Sequence, residues 1–127
     1  CNVGPLAVRQ QVLTLHDVFS VARPQWVSPA FHRWYGWLLP RLVRRVAHLV
    51  TVSEYAKTTI VETLGVSPEA VTVTPLGVDE RFRPASEAQI AALRRALELP
   101  ERFILALGSL EPRKNLAGAL AAWTRLP

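Results

Sequence analysis

Residues 48–73 have the sequence HLVTVSEYAKTTIVETLGVSPEAVTV, and this stretch decides the fold. The short apolar run 48–52 predicts a buried strand, and Ser53 is a natural N-cap for a helix that stops at Gly65. After a Ser-Pro-Glu turn, residues 71–73 predict the next strand. Because a strand, a helix and a strand follow one another, we expect a right-handed crossover and parallel strands covered by helices.

Upstream of this stretch the sequence predicts one more strand and one more helix. Residues 11–15 are an apolar run with β-branched content, which is typical of a buried strand. Residues 30–47 have helical periodicity, and Pro40 is expected to kink that helix. The residues expected to share its inner face are Phe31, Trp34, Tyr35, Leu38, Leu42 and Val46, with Arg33, Arg41, Arg44 and Arg45 largely elsewhere.

Downstream, the sequence predicts a connection and then a second α/β unit. Residues 75–84 contain two prolines, a glycine and four charges, which are typical of an ordered connection. A helix is predicted at 87–97 with Ser86 as its N-cap, and the most apolar strand of the chain at 103–107. A last helix is predicted over 115–126.

Composition excludes several classes of protein. The chain has 127 residues, of which 50% are hydrophobic and 20% charged, so intrinsic disorder is not indicated. No apolar stretch approaches the ~20 residues of a membrane-spanning helix. The single cysteine, Cys1, cannot form an internal disulfide, which fits a reducing compartment, and no Cys/His cluster has metal-ligand spacing. Because methionine is absent, we expect a piece of a longer protein.

The chain is basic, and its charge favours anionic partners. Fifteen basic residues against ten acidic ones give a net charge of +5, which suits nucleotide phosphates, lipid headgroups or nucleic acid. The basic and aromatic helix predicted at 30–47 suits a membrane surface, although ordinary packing on a sheet explains the same pattern. No nucleic-acid recognition module is present in the sequence, so nucleic acid is not an expected partner.

Residues 108–115, with the sequence GSLEPRKN, connect the last predicted strand to the last predicted helix. Gly108 permits a sharp turn, Arg113 and Lys114 offer two cations, and the start of the helix offers free amides. Together these groups suit a pyrophosphate. Alternatively, the two cations are solvated loop charges and Asn115 is only a helix cap. The chain contains neither GxxxxGK[ST] nor GxGxxG.

A histidine follows the first predicted strand. His16 lies where open α/β sheets place ligands, and near neutral pH it can donate or accept a proton. The neighbouring Asp17 would either orient the imidazole or cap the next turn. A structural or merely exposed histidine is the alternative. A Ser-His-Asp triad is not indicated, because Ser20 and Ser53 lack a nucleophile-elbow context such as GxSxG.

Four short motifs together resemble the GT-B glycosyltransferases of family 4, and especially their mannosyltransferase-like bacterial members that build polysaccharides. The motifs are His16-Asp17, the VSEY sequence at 52–55, the PLGVD sequence at 75–79, and 108–115 with its Arg-Lys-Asn ending. The resemblance covers nearly the whole chain. It implies a retaining, metal-independent transfer of a hexose, mannose first among the candidates, from a nucleotide-diphosphate sugar to a polysaccharide or glycolipid acceptor. No cofactor is implied.

The resemblance also implies roles for individual residues. Arg113 and Lys114, with Gly108, would hold the donor diphosphate as it becomes the leaving group. His16 would be the catalytic residue on the acceptor-side domain, near the transferred sugar. No metal ligand is implied. The resemblance places the active site in a cleft between two Rossmann-like domains. The positions expected to line that cleft are Gly4, Asp17, Ser53, Glu54 and Gly77.

The resemblance further predicts incomplete Rossmann-like parallel sheet units of a two-domain fold. Residues 1–75 would be the later part of the N-terminal, acceptor-side domain, 76–85 the interdomain linker, and 86–127 the start of the C-terminal, donor domain. The acidic EX7E element of the family, which contacts the donor, and its N-terminal glycine-rich loop are not among these 127 residues. We therefore expect the isolated residues to be inactive, and oligomeric or aggregation-prone through open strand edges.

The complete protein is expected to be cytoplasmic or peripheral at the inner face of the plasma membrane, with a nucleotide-sugar donor and a glycan or lipid-linked acceptor as partners. The alternative function is a non-enzymatic basic module that binds anions or a membrane surface. Loss of Arg113 or Lys114 would abolish donor binding only in the enzyme. In the module, loss of Arg44 and Arg45 would abolish liposome binding, whereas in the enzyme it would leave donor binding intact.

Overall fold

The computed structural model describes residues 4–8 and 10–126. These residues divide into two compact units, Cys1–Leu76 and Gly77–Pro127. Within the described residues, the first unit holds all the strands and all the buried side chains, whereas the second contains helices, turns and irregular segments. The hydrophobic core of the described chain therefore belongs to the first unit.

A parallel sheet of three short strands organises the first unit. The strands are β1 (Val12–Thr14), β2 (His48–Thr51) and β3 (Val71–Val73), and they lie side by side in chain order with β2 in the centre. Both pairings are parallel. The prediction of a parallel α/β fold is thus confirmed for this unit.

Two helices connect β1 to β2. The short α1 spans Phe19–Ala22, and the longer α2 spans Pro29–Val43 after a 3-10 turn at Pro24–Trp26. The Ser28 hydroxyl accepts a hydrogen bond from the Phe31 amide and caps α2.

Helix α2 departs from its prediction at its C-terminal end and on its inner face. It ends at Val43, four residues early, because the Ala47 amide already donates to the Gln11 carbonyl beside β1. Phe31 and Trp34 are exposed instead of facing the sheet. The buried residues of α2 are Tyr35, Leu38, Leu39, Leu42 and Val43. Their i, i+3, i+4, i+7, i+8 spacing forms one continuous helix face, which covers the sheet without a contribution from Phe31 or Trp34.

Helix α3 (Glu54–Leu64) connects β2 to β3, and it has the ends that the sequence predicts. The Ser53 hydroxyl accepts a hydrogen bond from the Ala56 amide at 3.1 Å. Gly65 ends the helix in the left-handed conformation, with φ 64°. Ile60 is fully buried and packs with the strand residues Leu13, Leu49 and Val71 in one cluster.

The second unit contains α4 (Glu87–Ala96) and α5 (Leu116–Trp123). Ser86 and Gln89 form a reciprocal capping box at the start of α4. The prediction of a strand at 103–107 is wrong for this structure, since that segment is irregular and exposed. A strand exists only through hydrogen bonds to a neighbouring strand, and residues 77–126 supply none.

Candidate functional site

The carboxyl ends of β1 and β2 meet at one edge of the sheet, because the strands are parallel. The Leu15 amide extends this pairing by donating to the Val50 carbonyl at 2.8 Å, and His16 follows directly. Ser53 comes two residues after the end of β2. His16, Asp17 and Ser53 line one groove of about 630 Å³ that also touches α1 and α3. The structure therefore brings three of the predicted site residues together.

Aromatic and hydroxyl side chains make up much of the rest of the groove. Tyr55 is 76% exposed, and Trp26 is also exposed. The remaining polar lining residues are Arg23, Thr58, Thr59, Glu62 and Thr63. Flat apolar rings beside several hydrogen-bonding groups suit a polyhydroxylated ligand such as a saccharide, which has both apolar C–H faces and hydroxyl edges.

The sequence interpretation missed the contribution of α3 to this groove. Tyr55, Thr59 and Glu62 are spaced i, i+4 and i+7, so they lie on one face of the helix. The Thr59 hydroxyl donates to the Tyr55 carbonyl at 2.9 Å. The polar periodicity within 54–64 was the signal that could have found this face.

Asp17 caps the turn that follows β1. Its Oδ1 accepts a hydrogen bond from the Phe19 amide at 3.2 Å, at the start of α1. The sequence left two roles open for this carboxylate, and the structure confirms the capping role. His16 is exposed at the mouth of the groove, where its imidazole is accessible to a ligand.

The other predicted cleft positions lie elsewhere. Glu54 is exposed in the first turn of α3, where a negative charge favours the helix N-terminus, and it does not line the groove. Gly4 packs against the side chain of Gln11, which donates to the Pro5 and Val8 carbonyls. Gly77 belongs to the second unit and has open space around it.

The predicted phosphate loop lies within the second unit. Gly108 has φ 152°, a conformation that favours glycine. The aliphatic stem of Lys114 passes 3.8 Å from the point that a Cβ of residue 108 would occupy. Pro112–Lys114 forms a 3-10 turn, closed by the Lys114 amide donating to the Glu111 carbonyl at 2.9 Å. Gly108 and Lys114 are thereby brought together.

Glu111 holds the second cation of this loop. The Arg113 Nε donates to Glu111 Oε2 at 2.5 Å. Hydrogen bonds from Ser109 and from Arg113 lower the pKa of the Glu111 carboxyl, so it stays ionised beside the two cations. The sequence interpretation gave Glu111 no role, although its place two residues before Arg113 permits this ion pair.

The loop ends at Asn115, which has a left-handed backbone with φ 48° and begins α5. Its carbonyl accepts a hydrogen bond from the Ala119 amide. The Asn115 side chain occupies the space of a missing Cβ at Gly118, with Nδ2 only 2.5 Å from that point. Gly118 therefore leaves room for the Asn115 amide at the first turn of α5.

Comparison with known proteins identifies the family. The sequence profile of glycosyltransferase family 4 matches residues 4–82, more than half of the chain. The chain belongs to glycosyltransferase family 4. The matched range of this family 4 chain contains the groove residues His16, Asp17 and Ser53, and it ends before the loop at 108–115.

Curated relatives of this family 4 chain are bacterial mannosyltransferases. It is 24% identical over 97% of its length to the O-antigen chain mannosyltransferase B of Escherichia coli. It is 32% identical over 87% of its length to the MMP alpha-(1->4)-mannosyltransferase of Mycolicibacterium hassiacum. It is 30% identical over 91% of its length to the serotype-specific mannosyltransferase WbdA of Escherichia coli.

The family 4 chain spans only part of these relatives, namely 32%, 25% and 15% of their respective lengths. No solved structure matches it significantly. Among the residues that the structure describes, no helix is long and apolar enough to cross a membrane.

Proposed function

We propose that the protein containing this chain transfers mannose from a nucleotide-diphosphate sugar to a polysaccharide or glycolipid acceptor, with retention at the anomeric carbon. The observation that carries this proposal is the family 4 match together with three relatives named as mannosyltransferases. These relatives align over 87–97% of the chain. The family match favours an enzyme over the alternative of a non-enzymatic anion-binding module.

On the donor side, the proposal assigns the diphosphate to the loop at 108–115. Glycosyl transfer breaks the bond between the anomeric carbon and a phosphate oxygen, so negative charge accumulates on the departing diphosphate. The planar guanidinium of Arg113 and the compact ammonium of Lys114 would stabilise that charge. Gly108 lets the backbone approach the anion. Because side-chain cations would supply this charge, the proposal requires no metal ion or cofactor.

On the acceptor side, the proposal assigns the reacting sugars to the groove that contains His16. The acceptor hydroxyl oxygen forms the new bond to the anomeric carbon on the face from which the diphosphate leaves, and its proton passes to the departing diphosphate oxygen. His16 would contact the transferred sugar at the mouth of the groove, and Asp17 and Ser53 would line it. The rings of Trp26 and Tyr55 would pack against sugar C–H faces.

Calorimetric titration of GDP, UDP and GDP-mannose into the full-length protein tests the donor assignment. We expect Arg113→Ala and Lys114→Ala each to weaken binding of the preferred nucleotide about 10- to 100-fold, as for the loss of a charged hydrogen bond. Arg95→Ala removes an exposed arginine of α4 and is the matched control, which should bind normally. Unchanged affinity in both loop variants would place the phosphate site elsewhere.

Four further expectations belong to this proposal. The complete protein would act in the cytoplasm and contact the inner face of the plasma membrane, where a lipid-linked acceptor is accessible. The isolated 127 residues would be inactive and would associate through exposed strand edges. Turnover of a nucleotide sugar by those residues alone would contradict the expected inactivity.

A further inference from the structure

Two tryptophans of α2 are exposed although the helix already has a complete buried stripe. Trp34 is 56% exposed and Trp37 44%. Their rings stack with centroids 5.4 Å apart, and the Arg41 guanidinium lies 4.6 Å from the centroid of the Trp37 ring. Adjacent exposed indoles on one helix mark an interaction surface more often than a scattered apolar residue does.

The net charge of the chain is concentrated in the same region. Residues 18–53 contain five arginines and no acidic residue, whereas the rest of the chain carries ten basic and ten acidic side chains. The whole surplus of +5 therefore belongs to the segment that contains α2. Such segregation attracts an extended anionic surface more strongly than the same charge spread evenly.

The arginines converge at the C-terminal end of α2. Leu6, Trp37, Arg41, Arg44 and Arg45 line a shallow groove of about 420 Å³. The Arg45 guanidinium donates to the Leu6 carbonyl at 3.0 Å, which fixes one wall of this groove. Each guanidinium is a planar group with several N–H donors that suit phosphate oxygens.

Interaction with the helix dipole does not account for this surface. Basic residues do stabilise a helix C-terminus, and that explains Arg41 and Arg44 in part. It does not explain why Trp34 and Trp37 are exposed next to them. Tryptophan beside arginine is the combination found where a protein meets the headgroup region of a bilayer, since the indole is amphipathic and the guanidinium binds phosphate.

We propose that the surface formed by Trp34, Trp37 and Arg41 on the outer face of α2 and by Arg44 and Arg45 in the turn that follows it docks onto an anionic phospholipid bilayer. The indoles would enter the headgroup boundary while the arginines bind lipid phosphates. This inference rests on the membrane contact in the proposed function, and it names the residues and the lipid that would make that contact. Docking itself does not require transferase activity.

Vesicle flotation with the full-length protein tests this proposal. The vesicles are phosphatidylcholine mixed in equal parts with phosphatidylglycerol, compared with pure phosphatidylcholine. We expect binding to the anionic vesicles only, and Arg41→Gln with Arg44→Gln should weaken it about fivefold for each arginine removed. Arg83→Gln with Arg95→Gln removes the same charge from the second unit and should leave binding unchanged.

The tryptophans have their own test. Trp34→Ser with Trp37→Ser should reduce vesicle binding at least as much as the arginine pair does, and the corresponding Trp→Phe pair should retain part of it. Quenching of tryptophan fluorescence by brominated lipid should be lost in the Ser pair, although Trp26 and Trp123 remain. Circular dichroism of each variant confirms that it is folded, and GDP binding should be unchanged in all of them, which separates this test from that of the donor site.

Three results would overturn the proposal. One is the absence of binding to anionic vesicles, or equal binding to pure phosphatidylcholine. Another is unchanged vesicle binding in the arginine pair. The third is a loss of vesicle binding in the arginine double variant but not in the tryptophan double variant, together with binding to duplex DNA that equals binding to the anionic vesicles. That result would indicate a general polyanion site instead of a bilayer surface.

Discussion

The two units of the chain show that an apolar run becomes a strand only where another strand is available to pair with it. In the first unit, the run HLVT becomes the centre of a parallel sheet, because β1 and β3 lie on either side of it. In the second, the more apolar FILAL at 103–107 remains unpaired, and Leu107 at its end is 95% exposed. Composition therefore indicates the potential for a strand, and its neighbours determine whether the strand forms.

The largest expected difference between the units concerns their leucines. Leu39→Ala removes a fully buried side chain from α2 and should lower the free energy of unfolding of the first unit by about 2–5 kcal/mol, through lost burial and a residual cavity. Leu93→Ala, at an exposed position of α4, should change it by less than about 0.5 kcal/mol. Hydrogen exchange of the β2 amides measures both. Equal effects would mean that the core is not confined to the first unit.

A second contrast concerns two glycines of the first unit. Gly65→Ala places a Cβ on a residue with φ 64° and should destabilise the unit by about 1–2 kcal/mol. Gly36→Ala adds a methyl group within α2, where open space surrounds it, and should stabilise the unit by about 0.5–1 kcal/mol through its better helix propensity. Urea unfolding of both variants measures the two values, and effects of the same sign would contradict the backbone argument.

A smaller effect is expected from the helix caps. Ser53→Ala removes the acceptor of the Ala56 amide and should cost about 1 kcal/mol. That loss should appear in the first unit as faster amide exchange throughout β2 and α3, because α3 packs on the sheet. Ser86→Ala, in the capping box of α4, should speed exchange only in the first turn of its own helix, since α4 has no buried side chain. Faster exchange along the whole of α4 would show that it belongs to a cooperative unit.

The smallest expected effects are pKa changes of two glutamate carboxyl groups. Each carboxyl accepts a hydrogen bond from a serine two residues earlier in the chain. Hydrogen bonding from Ser67 lowers the pKa of Glu69 in the first unit, and that from Ser109 lowers the pKa of Glu111 in the second. Both pKa values lie below the ordinary value of 4.5. The stabilisation from these hydrogen bonds is therefore complete above pH 4.5, and it is lost as the pH falls through each lowered pKa.

Carboxyl ¹³C titration by NMR measures these pKa values. Ser67→Ala and Ser109→Ala should each raise the pKa of the neighbouring glutamate, while Arg113→Ala should raise that of Glu111 and leave Glu69 unchanged. A shift of Glu69 in the arginine variant would show that the two carboxyl groups are not independent.

Local sequence signals predicted much of the first unit. Ser53 and Gly65 determine the ends of α3 through their own hydrogen bonds and backbone conformation, so a single sequence was sufficient to find them. The inner face of α2 was assigned incorrectly because Trp34 is as apolar as its buried neighbours, and only the sheet determines which side of the helix is covered. The prediction of a strand at 103–107 was wrong for a related reason, since strand pairing depends on residues distant in the sequence.

The candidate site was predictable to a similar extent. Strand ends predicted the position of His16 and Asp17, the family resemblance predicted Ser53, and the structure places all three in the same groove. The groove face of α3 and the ion pair of Glu111 depend on side-chain contacts across a turn, and a short sequence motif does not specify such contacts. The roles of Arg113 and Lys114 in donor binding remain predictions for the titration described above.

The contact between Asn115 and Gly118 has a consequence for how this sequence can evolve. Because the Asn115 amide occupies the volume that any Cβ at residue 118 would need, a substitution at 118 displaces that amide from the start of α5. Replacement of Asn115 by a residue that disfavours positive φ would in turn strain the turn that carries Arg113 and Lys114. In an alignment of homologues, positions 115 and 118 should therefore covary, and a lineage that loses one of these residues should soon replace the other.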